Sequence, residues 1–331
     1  MPAKKVRIAD GEAGQRIDRW LKARFPSLGF GQLQKLLRKG EIRVDGRRAK
    51  PDTRLQAGAQ VRLPPMLAAL EEAGKGRRPA PLSAQEREFF DGLKLYEDEW
   101  LIVINKPSGL PVQGGSKTAM HIDRWLMALE QELGARPRLV HRLDRDTSGV
   151  LVIAKSRQVA AALGKAFSSR SVRKIYWAVV HGVPRPKQGL IEEALVKVRT
   201  PQGEKMAVAS AVPEGARVLS EPQPAKTRHA VLQASDHPPA AWVSLKPTTG
   251  RTHQLRVHMA HLGHPIFGDP RYGGLEGLPE EVEKKLHLHA RRISFEHPVS
   301  GGWLDITAPL PEHMLKTFDL LGFDARRYEK A

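Results

Sequence analysis

The sequence contains no cysteine and no apolar stretch long enough to cross a membrane. The first absence excludes disulfides, thiolate zinc sites and cysteine nucleophiles. The second, together with an N-terminal segment that lacks an apolar signal core, leads us to expect a soluble cytoplasmic protein without membrane association. The sequence also lacks a phosphate-binding P-loop and a GxGxxG motif, so it carries no sequence signature of a nucleotide cofactor.

Acidic residues are few relative to basic ones. The 331 residues include 54 Lys and Arg against 36 Asp and Glu, a formal net charge of +18. Residues 1–65 contribute +10, from 16 basic and 6 acidic residues, and the other 266 residues contribute +8. A balance this basic indicates a polyanionic partner, most often nucleic acid. The uneven distribution predicts a small, dense basic unit that contacts RNA or DNA, followed by a larger and less basic one.

The basic N-terminal unit has a distinct order of elements. Its apolar spacing predicts a helix over residues 14–25 and a second helix over 30–39. The segments 42–44 and 61–63 predict strands, with a hairpin turn at Asp45-Gly46. This pattern resembles the alpha-L RNA-binding motif, the small domain named after ribosomal protein S-four. Cations at the helix end and the hairpin would contact phosphates, and the predicted RNA-binding residues are Arg38, Lys39, Arg43, Arg47 and Arg48.

The composition divides the chain into three parts. We predict an RNA-binding domain over 1–65, a linker over 66–92 and a larger domain over 93–331. The linker has mixed charge and several Gly and Pro residues, and it includes a short predicted helix over 83–90. In the larger domain, predicted strands outnumber predicted helices and do not alternate regularly with them. This predicts an α+β fold with a mostly antiparallel, mixed sheet.

The stretch Leu139 to Ala154, LVHRLDRDTSGVLVIA, is the organising feature of the larger domain. Its second half, Gly149 to Ala154, is a continuous apolar run that predicts a strand buried on both faces. Its first half is a strongly charged turn that leads into this strand. A charged turn attached to a core strand can present a reactive group rigidly, although a surface loop held by ion pairs has the same composition.

Six motifs connect this stretch to a known family. They resemble the pseudouridine synthases that act on ribosomal RNA, and they occur in that family's order. The motifs are NKPSG at 105–109, HRLDRDTSG at 141–149, RKIYWA at 173–178, TGRTHQLRVH at 249–258, GDPRYG at 268–273 and LHA at 288–290. The resemblance implies a pseudouridine synthase fold for 93–331, an RNA-modifying isomerase without a cofactor, and large-subunit ribosomal RNA as the partner. It leaves open which uridines are modified and whether free RNA or a precursor particle is bound, and we expect a monomer.

The resemblance also implies roles for single residues. Asp144 matches the family's catalytic aspartate, and Tyr176 matches the tyrosine that stacks on the base and is placed for proton transfer. An arginine of TGRTHQLR is expected to pair with the aspartate; Arg251 and Arg256 both match the motif, and Arg251 is favoured. The positions that the resemblance assigns to substrate binding in this domain are Arg142, Leu255 and Arg256.

The isomerisation of uridine itself requires these residue types. The reaction breaks an N-glycosidic bond and remakes it to C5, without a redox change or a group donor. A carboxylate such as Asp144 can hold one fragment covalently, at C6 of the base or at C1′ of the ribose, and the sequence leaves both routes open. A buried carboxylate needs nearby cations or hydrogen-bond donors to stay ionised. Tyr176 is a candidate for removing the C5 proton, and an extruded base needs an aromatic or apolar wall.

Two other functions are compatible with parts of the sequence. The basic N-terminal domain alone would suffice for a non-catalytic RNA-binding protein. A metal-dependent hydrolase would use the histidines between residues 253 and 264, but no HExxH motif accompanies them. Three further residues are more simply explained as structural. Lys106 is expected to form a structural ion pair or to anchor a loop, Asp146 to stabilise the turn, and Asp269 to cap or brace a loop.

Overall fold

The computed structural model describes residues 3–25, 28–74, 81–114, 120–169 and 171–328. The chain divides into two compact units, Met1–Ala80 and Pro81–Ala331. The division falls inside the segment 66–92 that the sequence predicts as a linker, and residues 75–80 of that segment lie outside the described residues. No helix in the described ranges is long and apolar enough to span a bilayer.

The described part of the first unit combines three α-helices and a 3-10 helix, Asp10–Glu12, with a small antiparallel sheet. Its elements are β1 (Lys4–Arg7), α1 (Ile17–Arg24), α2 (Phe30–Lys39), β2 (Arg43–Val44), β3 (Arg47–Arg48), β4 (Gln60–Leu63) and α3 (Pro65–Gly74). The strands pair in the order β1-β4-β2-β3. Both predicted helices are confirmed, and α2 has the predicted bounds because Gly40 ends it in the left-handed conformation at φ 72°. The sequence does not predict β1, since Val6 is its only buried residue.

The second unit contains the larger sheet. Its elements are α4 (Ala84–Gly92), β5 (Lys94–Glu97), β6 (Leu101–Lys106), α5 (Ile122–Leu133), β7 (Arg138–Leu139), β8 (Ser148–Ala154), α6 (Arg157–Ser168), β9 (Arg173–His181), β10 (Gln188–Glu192), β11 (Leu195–Thr200), β12 (Gly203–Val208), β13 (Arg217–Val218), β14 (Lys226–Asp236), β15 (Pro239–Pro247), α7 (Gln254–His261), β16 (Leu288–Glu296), β17 (Trp303–Thr307) and α8 (Glu312–Leu321). Two helices occupy parts of the predicted linker: α4 corresponds to the helix predicted over 83–90, whereas α3 was not predicted.

Ten strands of the described ranges form one sheet. Its path is β10-β14-β15-β9-β16-β8-β6-β5, with β17 beside β16 and β7 beside β8. The neighbours are antiparallel except for β16 and β8, which pair in parallel. The predicted α+β fold with a mostly antiparallel, mixed sheet is therefore confirmed. A second sheet of this unit has the strand order β12-β11-β13, and β11 and β12 form a hairpin.

Strand β8 lies inside the large sheet, between β6 and β16, and all seven of its residues are buried. On one face, Leu151 packs in a cluster with Trp125 of α5. On the other face, Val152 packs in a cluster with Leu163 of α6. The predicted strand with two buried faces is confirmed, and it gives the preceding charged turn a rigid attachment.

The junction between turn and strand requires glycine. Gly149 has φ 108°, and a Cβ at this position would lie 2.3 Å from the carbonyl oxygen of Ala290 on β16. Any larger residue would push β8 away from β16 where the two strands pair. The glycine therefore sets how closely the charged turn approaches the centre of the sheet.

Candidate active site

The turn that carries Asp144 is held by the loop that follows β6. Within the turn, the Thr147 N–H donates to the Asp144 carbonyl at 3.2 Å. From the loop, the Gly109 N–H donates to the Arg145 carbonyl at 3.0 Å, and the Ser108 hydroxyl donates to the Asp146 carbonyl at 2.8 Å. The backbone around Asp144 is therefore fixed before any substrate binds.

Lys106 makes the central contact of this arrangement. Its side chain is fully buried, and its Nζ donates to the carbonyls of Pro107, Leu110 and Arg145 at 2.9, 2.9 and 2.8 Å. Three acceptors use all three N–H groups of an ammonium. Burial lowers the pKa of Lys106 to about 7, against the opposing negative charges of Asp146 and Asp144. The expected role of Lys106 as a loop anchor is confirmed.

The Asp144 carboxylate faces two groups from the α7 region. Its Oδ2 lies 3.6 Å from Nη1 of Arg256 and 3.8 Å from Nε2 of His253. Its side chain is 20% exposed, whereas that of Arg256 is 4% exposed. The carboxylate is thus open to a ligand on one side and faces fixed positive charge on the other.

Arg256 is oriented by a second carboxylate. Its Nε and Nη2 donate to Oδ2 and Oδ1 of Asp269 at 2.7 and 2.8 Å, and the Asp269 side chain is fully buried. Burial alone would lower the pKa of Arg256, but the hydrogen bonds and charges of Asp269 and Asp144 raise it. Asp269 also accepts the Arg271 N–H at 2.9 Å, so it braces its loop as predicted. The sequence did not predict that Asp269 orients Arg256, although Asp269 is part of the GDPRYG motif.

The preference for Arg251 as the partner of Asp144 is wrong. Arg251 is exposed, its Nε donates to the Pro224 carbonyl at 3.2 Å, and its N–H donates to Oε1 of Gln254 at 3.0 Å. It precedes α7, and the chain then passes through His253 in the left-handed conformation, at φ 54°. Of the two motif arginines, Arg256, on the first turns of the helix, is the one that comes within ion-pair distance of Asp144.

His253 and Tyr272 complete the surroundings of Asp144 and were not predicted as site residues. Nδ1 of His253 lies 2.8 Å from the Tyr272 hydroxyl, which accepts the Met206 N–H of β12 at 3.2 Å. An ionised carboxylate only accepts, so the nitrogen that faces Asp144 is assigned the proton, and Tyr272 then donates to Nδ1. Burial lowers the pKa of His253, which favours this neutral form. His253 belongs to the motif TGRTHQLRVH and Tyr272 to GDPRYG. Membership of these motifs was the signal in the sequence that could have identified them as site residues.

Tyr176 and Leu255 form the apolar side of the site. Tyr176 is half-buried and packs against the cluster that contains Leu255. Burial, and then the negative charge of Asp144, raise the pKa of Tyr176 above its ordinary value. Tyr176 is therefore a neutral phenol in the free enzyme. A neutral phenol can serve as an aromatic wall for a base. Because it keeps its proton, it is a poor proton acceptor in the free enzyme.

The other charged residues of the turn point to different partners. Arg145 pairs with Asp146, with its Nε 2.9 Å from Oδ1, so Asp146 has the structural contact that was expected of it. Arg142 is exposed and makes no ion pair with any described residue. Of the two acids in this turn, only Asp144 faces Arg256.

The predicted RNA-binding cations lie in the first unit and are exposed. Arg43 and Arg48 pair across the β2–β3 hairpin, and Arg47 is next to them. Arg43 donates to the Gly46 carbonyl at 3.2 Å. The exposed cations of the C-terminal turn of α2 are Arg38 and Lys39. Helix end and hairpin thus present a group of cations on one small unit.

The histidines near α7 contact separate protein groups. His258 is buried, with Nδ1 2.9 Å from the Thr227 hydroxyl and Nε2 3.2 Å from the Glu193 carbonyl. Nδ1 of His264 lies 2.8 Å from the His181 carbonyl. Within the described part of the chain, no group of three or more His, Asp or Glu residues is placed to hold a metal ion. The arrangement does not favour the hydrolase hypothesis.

Comparisons with known proteins agree with the geometry. Residues 100–261 match the family described as RNA pseudouridylate synthase, and residues 15–61 match the S4 domain. The ribosomal large subunit pseudouridine synthase C of Salmonella typhi is 36% identical over 323 residues, which is 96% of each chain. The protein of the same name from Pasteurella multocida (strain Pm70) is 37% identical over 322 residues, 96% of this chain and 94% of that one. The solved structure of Human RNA Pseudouridylate Synthase Domain Containing 4 is 30% identical, with a TM-score of 0.59, and covers 73% of this chain and 99% of that one.

Proposed function

This chain belongs to the RNA pseudouridylate synthase family, and from that membership we propose that it isomerises uridines of large-subunit ribosomal RNA with Asp144 as the nucleophile. The observation that carries the proposal is the pair Asp144–Arg256 at 3.6 Å, on a turn that three loop contacts hold rigidly. The names of the two bacterial relatives support the choice of RNA.

The geometry suits a carboxylate that reacts rather than one that only stabilises the fold. Asp144 is partly exposed, and its contacts with Arg256 and His253, at 3.6 and 3.8 Å, are longer than hydrogen bonds. Asp269, by contrast, is fully buried and makes two short bonds to the same arginine. Asp144 therefore keeps an accessible oxygen on one side and faces fixed positive charge on the other.

The proposed reaction moves one bond and exchanges protons without redox change. The N1–C1′ bond breaks and a C5–C1′ bond forms, C5 loses its proton and N1 gains one. On one route Asp144 adds to C6 of the base; on the other it forms an ester with C1′ of the ribose as the base leaves. Both routes neutralise the carboxylate, so the part of the Tyr176 pKa shift that Asp144 causes disappears at that stage. A proton transfer through Tyr176 is thus easier after the covalent step than before it.

The target uridine has to leave its stack to reach Asp144. Tyr176 and Leu255 offer an aromatic and an apolar surface for the extruded base, and the exposed Arg142 on the same turn is available for a phosphate. The chemistry proposed here uses only side chains of this chain, so we expect no cofactor. Exhaustive chelation should leave turnover unchanged, and zinc-dependent recovery of a lost activity would contradict this expectation.

The test compares two isosteric variants of the same turn. Ribosomal RNA with tritium at C5 of its uridines releases label when C5 loses its hydrogen, as it must when the C5–C1′ bond forms. We expect D144N to reduce release to background with RNA affinity retained, because Asn keeps the shape and removes the nucleophile. The control, D146N, alters the Arg145 ion pair and should keep at least about a third of the activity, because a partly exposed ion pair contributes little. Release by D144N at a substantial fraction of the wild-type rate, or a dead D146N beside an active D144N, would overturn the assignment. Absence of release by the wild-type chain would favour a non-catalytic RNA-binding protein.

A further inference from the structure

The large sheet has an open face on the side opposite Tyr176. Two adjoining cavities, of about 500 and 340 Å³, lie on strands β10, β14, β15, β9, β16 and β17, which are consecutive neighbours in the sheet. The two cavities share Ile175, Arg228 and Lys246 as lining residues. Together they form one continuous depression, which we call the reverse-face groove.

The strand register places this groove away from the catalytic site. Tyr176 pairs with Leu245 and Trp177 pairs with Ser244, and Trp177 and Ser244 line the groove. Successive side chains of a strand point to opposite faces. A ligand in the groove would therefore be separated from Asp144 and Tyr176 by the sheet itself.

Positive charge dominates the groove. Five of its lining residues are Lys or Arg, and the only carboxylate among its described lining residues is Asp305, which pairs with Arg292 at 2.7 Å. Arg228 and Lys246 sit opposite each other on β14 and β15, are exposed, and make no ion pair with any described residue. Two adjacent cations without an acidic partner in that part of the chain form a site for successive anionic groups, such as phosphates.

An exposed aromatic ring stands beside these cations. Trp303 on β17 is 53% exposed, although an indole of this size is usually covered in a folded protein. The Arg173 guanidinium lies over its ring at 5.4 Å from the centroid. An open sheet face that carries cations and an accessible aromatic ring is the surface on which unpaired bases stack while their phosphates are neutralised.

We propose that the reverse-face groove binds an unpaired segment of the substrate RNA, with phosphates on Arg228 and Lys246 and a base on Trp303. The occupant is a single strand, because the bases of a duplex are not available for stacking. This inference rests on RNA as the substrate in the proposed function. Since the groove lies across the sheet from Asp144, it contributes to RNA affinity and not to the chemical step.

The test measures RNA binding, so it is readable even if the proposed nucleophile is wrong. The variant R228Q/K246Q is compared with K165Q/K284Q, which removes the same charge from lysines that do not line the groove. With a large-subunit RNA fragment as probe, we expect R228Q/K246Q to weaken binding about 5- to 20-fold, with the slope of log affinity against log salt falling by about 1.4, roughly 0.7 for each single-strand phosphate. The control should change affinity less than about twofold, because its charges lie outside the groove and act on RNA only over a distance that salt screens. The value of kcat at saturating RNA should stay unchanged in both variants.

A second pair of variants tests the stacking position. W303A should weaken binding of the RNA at least about fivefold, while W303F, which keeps an aromatic ring, should recover most of the affinity. Equal losses in R228Q/K246Q and K165Q/K284Q would overturn the proposal, because net charge alone would then explain the effect. Unchanged RNA affinity with weaker binding of polyglutamate would also overturn it, in favour of an acidic protein segment as occupant.

Discussion

Arg256 contacts two carboxylates, and we expect mutation to separate its structural effect from its catalytic one. Replacement with Met keeps an apolar stem and removes the guanidinium. Asp269, fully buried, would then lack both of its short bonds to Arg256. Removal of one partner of a buried ion pair costs about 3–5 kcal/mol of unfolding free energy. R256M should therefore unfold at clearly lower urea concentration than the wild-type chain.

The catalytic effect follows from the ion pair with Asp144. An N–O distance of 3.6 Å corresponds to about 4–5 kcal/mol at an effective dielectric constant of about 20. Because the Asp144 side chain is 20% exposed, solvent screening reduces this to roughly half. The remaining attraction of about 2–3 kcal/mol holds the Asp144 carboxylate in position. Its loss should lower kcat by about 100-fold, because a misplacement of about 1 Å at the reacting atoms can cost that much.

The double variant R256M/D269N distinguishes the two effects. It neutralises the stranded carboxylate, so it should regain at least about half of the stability that R256M lacks, yet its kcat should stay low. R251M is the matched control from the same motif; because its guanidinium contacts only the Pro224 carbonyl among described groups, it should keep kcat within about threefold. Urea unfolding and tritium release under single-turnover conditions provide the measurements. Wild-type kcat in R256M/D269N would refute the reasoning, since Arg256 would then act only through Asp269.

Three further predictions concern other parts of the chain. G149A should unfold or fail to accumulate, because its Cβ would lie 2.3 Å from the Ala290 carbonyl oxygen. G164A, whose Cβ would have no atom within 4 Å, should raise the free energy of unfolding by about 0.5–1 kcal/mol. Thermal unfolding of both variants provides the comparison. Y272F removes the hydroxyl that donates to Nδ1 of neutral His253, so the pKa of His253 should rise. The acidic limb of the kcat–pH profile should then move to higher pH, and an unchanged profile would contradict the assigned tautomer. The triple variant R43A/R47A/R48A should flatten the salt dependence of RNA binding by about 0.7–0.9 for each phosphate that is no longer neutralised and leave kcat on saturating RNA unchanged; a kcat decrease would show that the first unit affects the chemistry.

Local patterns in the sequence were sufficient for the elements whose signals lie within a few residues. The 3.6-residue period and Gly40 predict α2 with its observed bounds, and the apolar run predicts β8 as a strand with two buried faces. The sequence does not predict β1, because this strand contributes a single buried side chain and so shows no apolar alternation. The strand is defined by its pairing with β4, which is distant along the chain.

The details of the site depend on tertiary contacts that no local pattern contains. Arg251 and Arg256 match the motif equally well, and the left-handed turn at His253 decides which of them reaches Asp144. The role of Asp269 depends on a contact between two motifs that are separate along the chain. The reverse-face groove brings together residues of six separate strands, so only the pairing of those strands reveals it.

Pseudouridine formation in large-subunit ribosomal RNA through Asp144 is tested most directly by a map of the pseudouridines in that RNA. The RNA comes from a strain that lacks the chain, complemented with the wild-type gene, D144N or D146N. We predict that a defined set of sites is unmodified in the deletion strain, is restored by the wild-type gene and by D146N, and stays unmodified with D144N. An unchanged map in the deletion strain, or restoration by D144N, would contradict the claim.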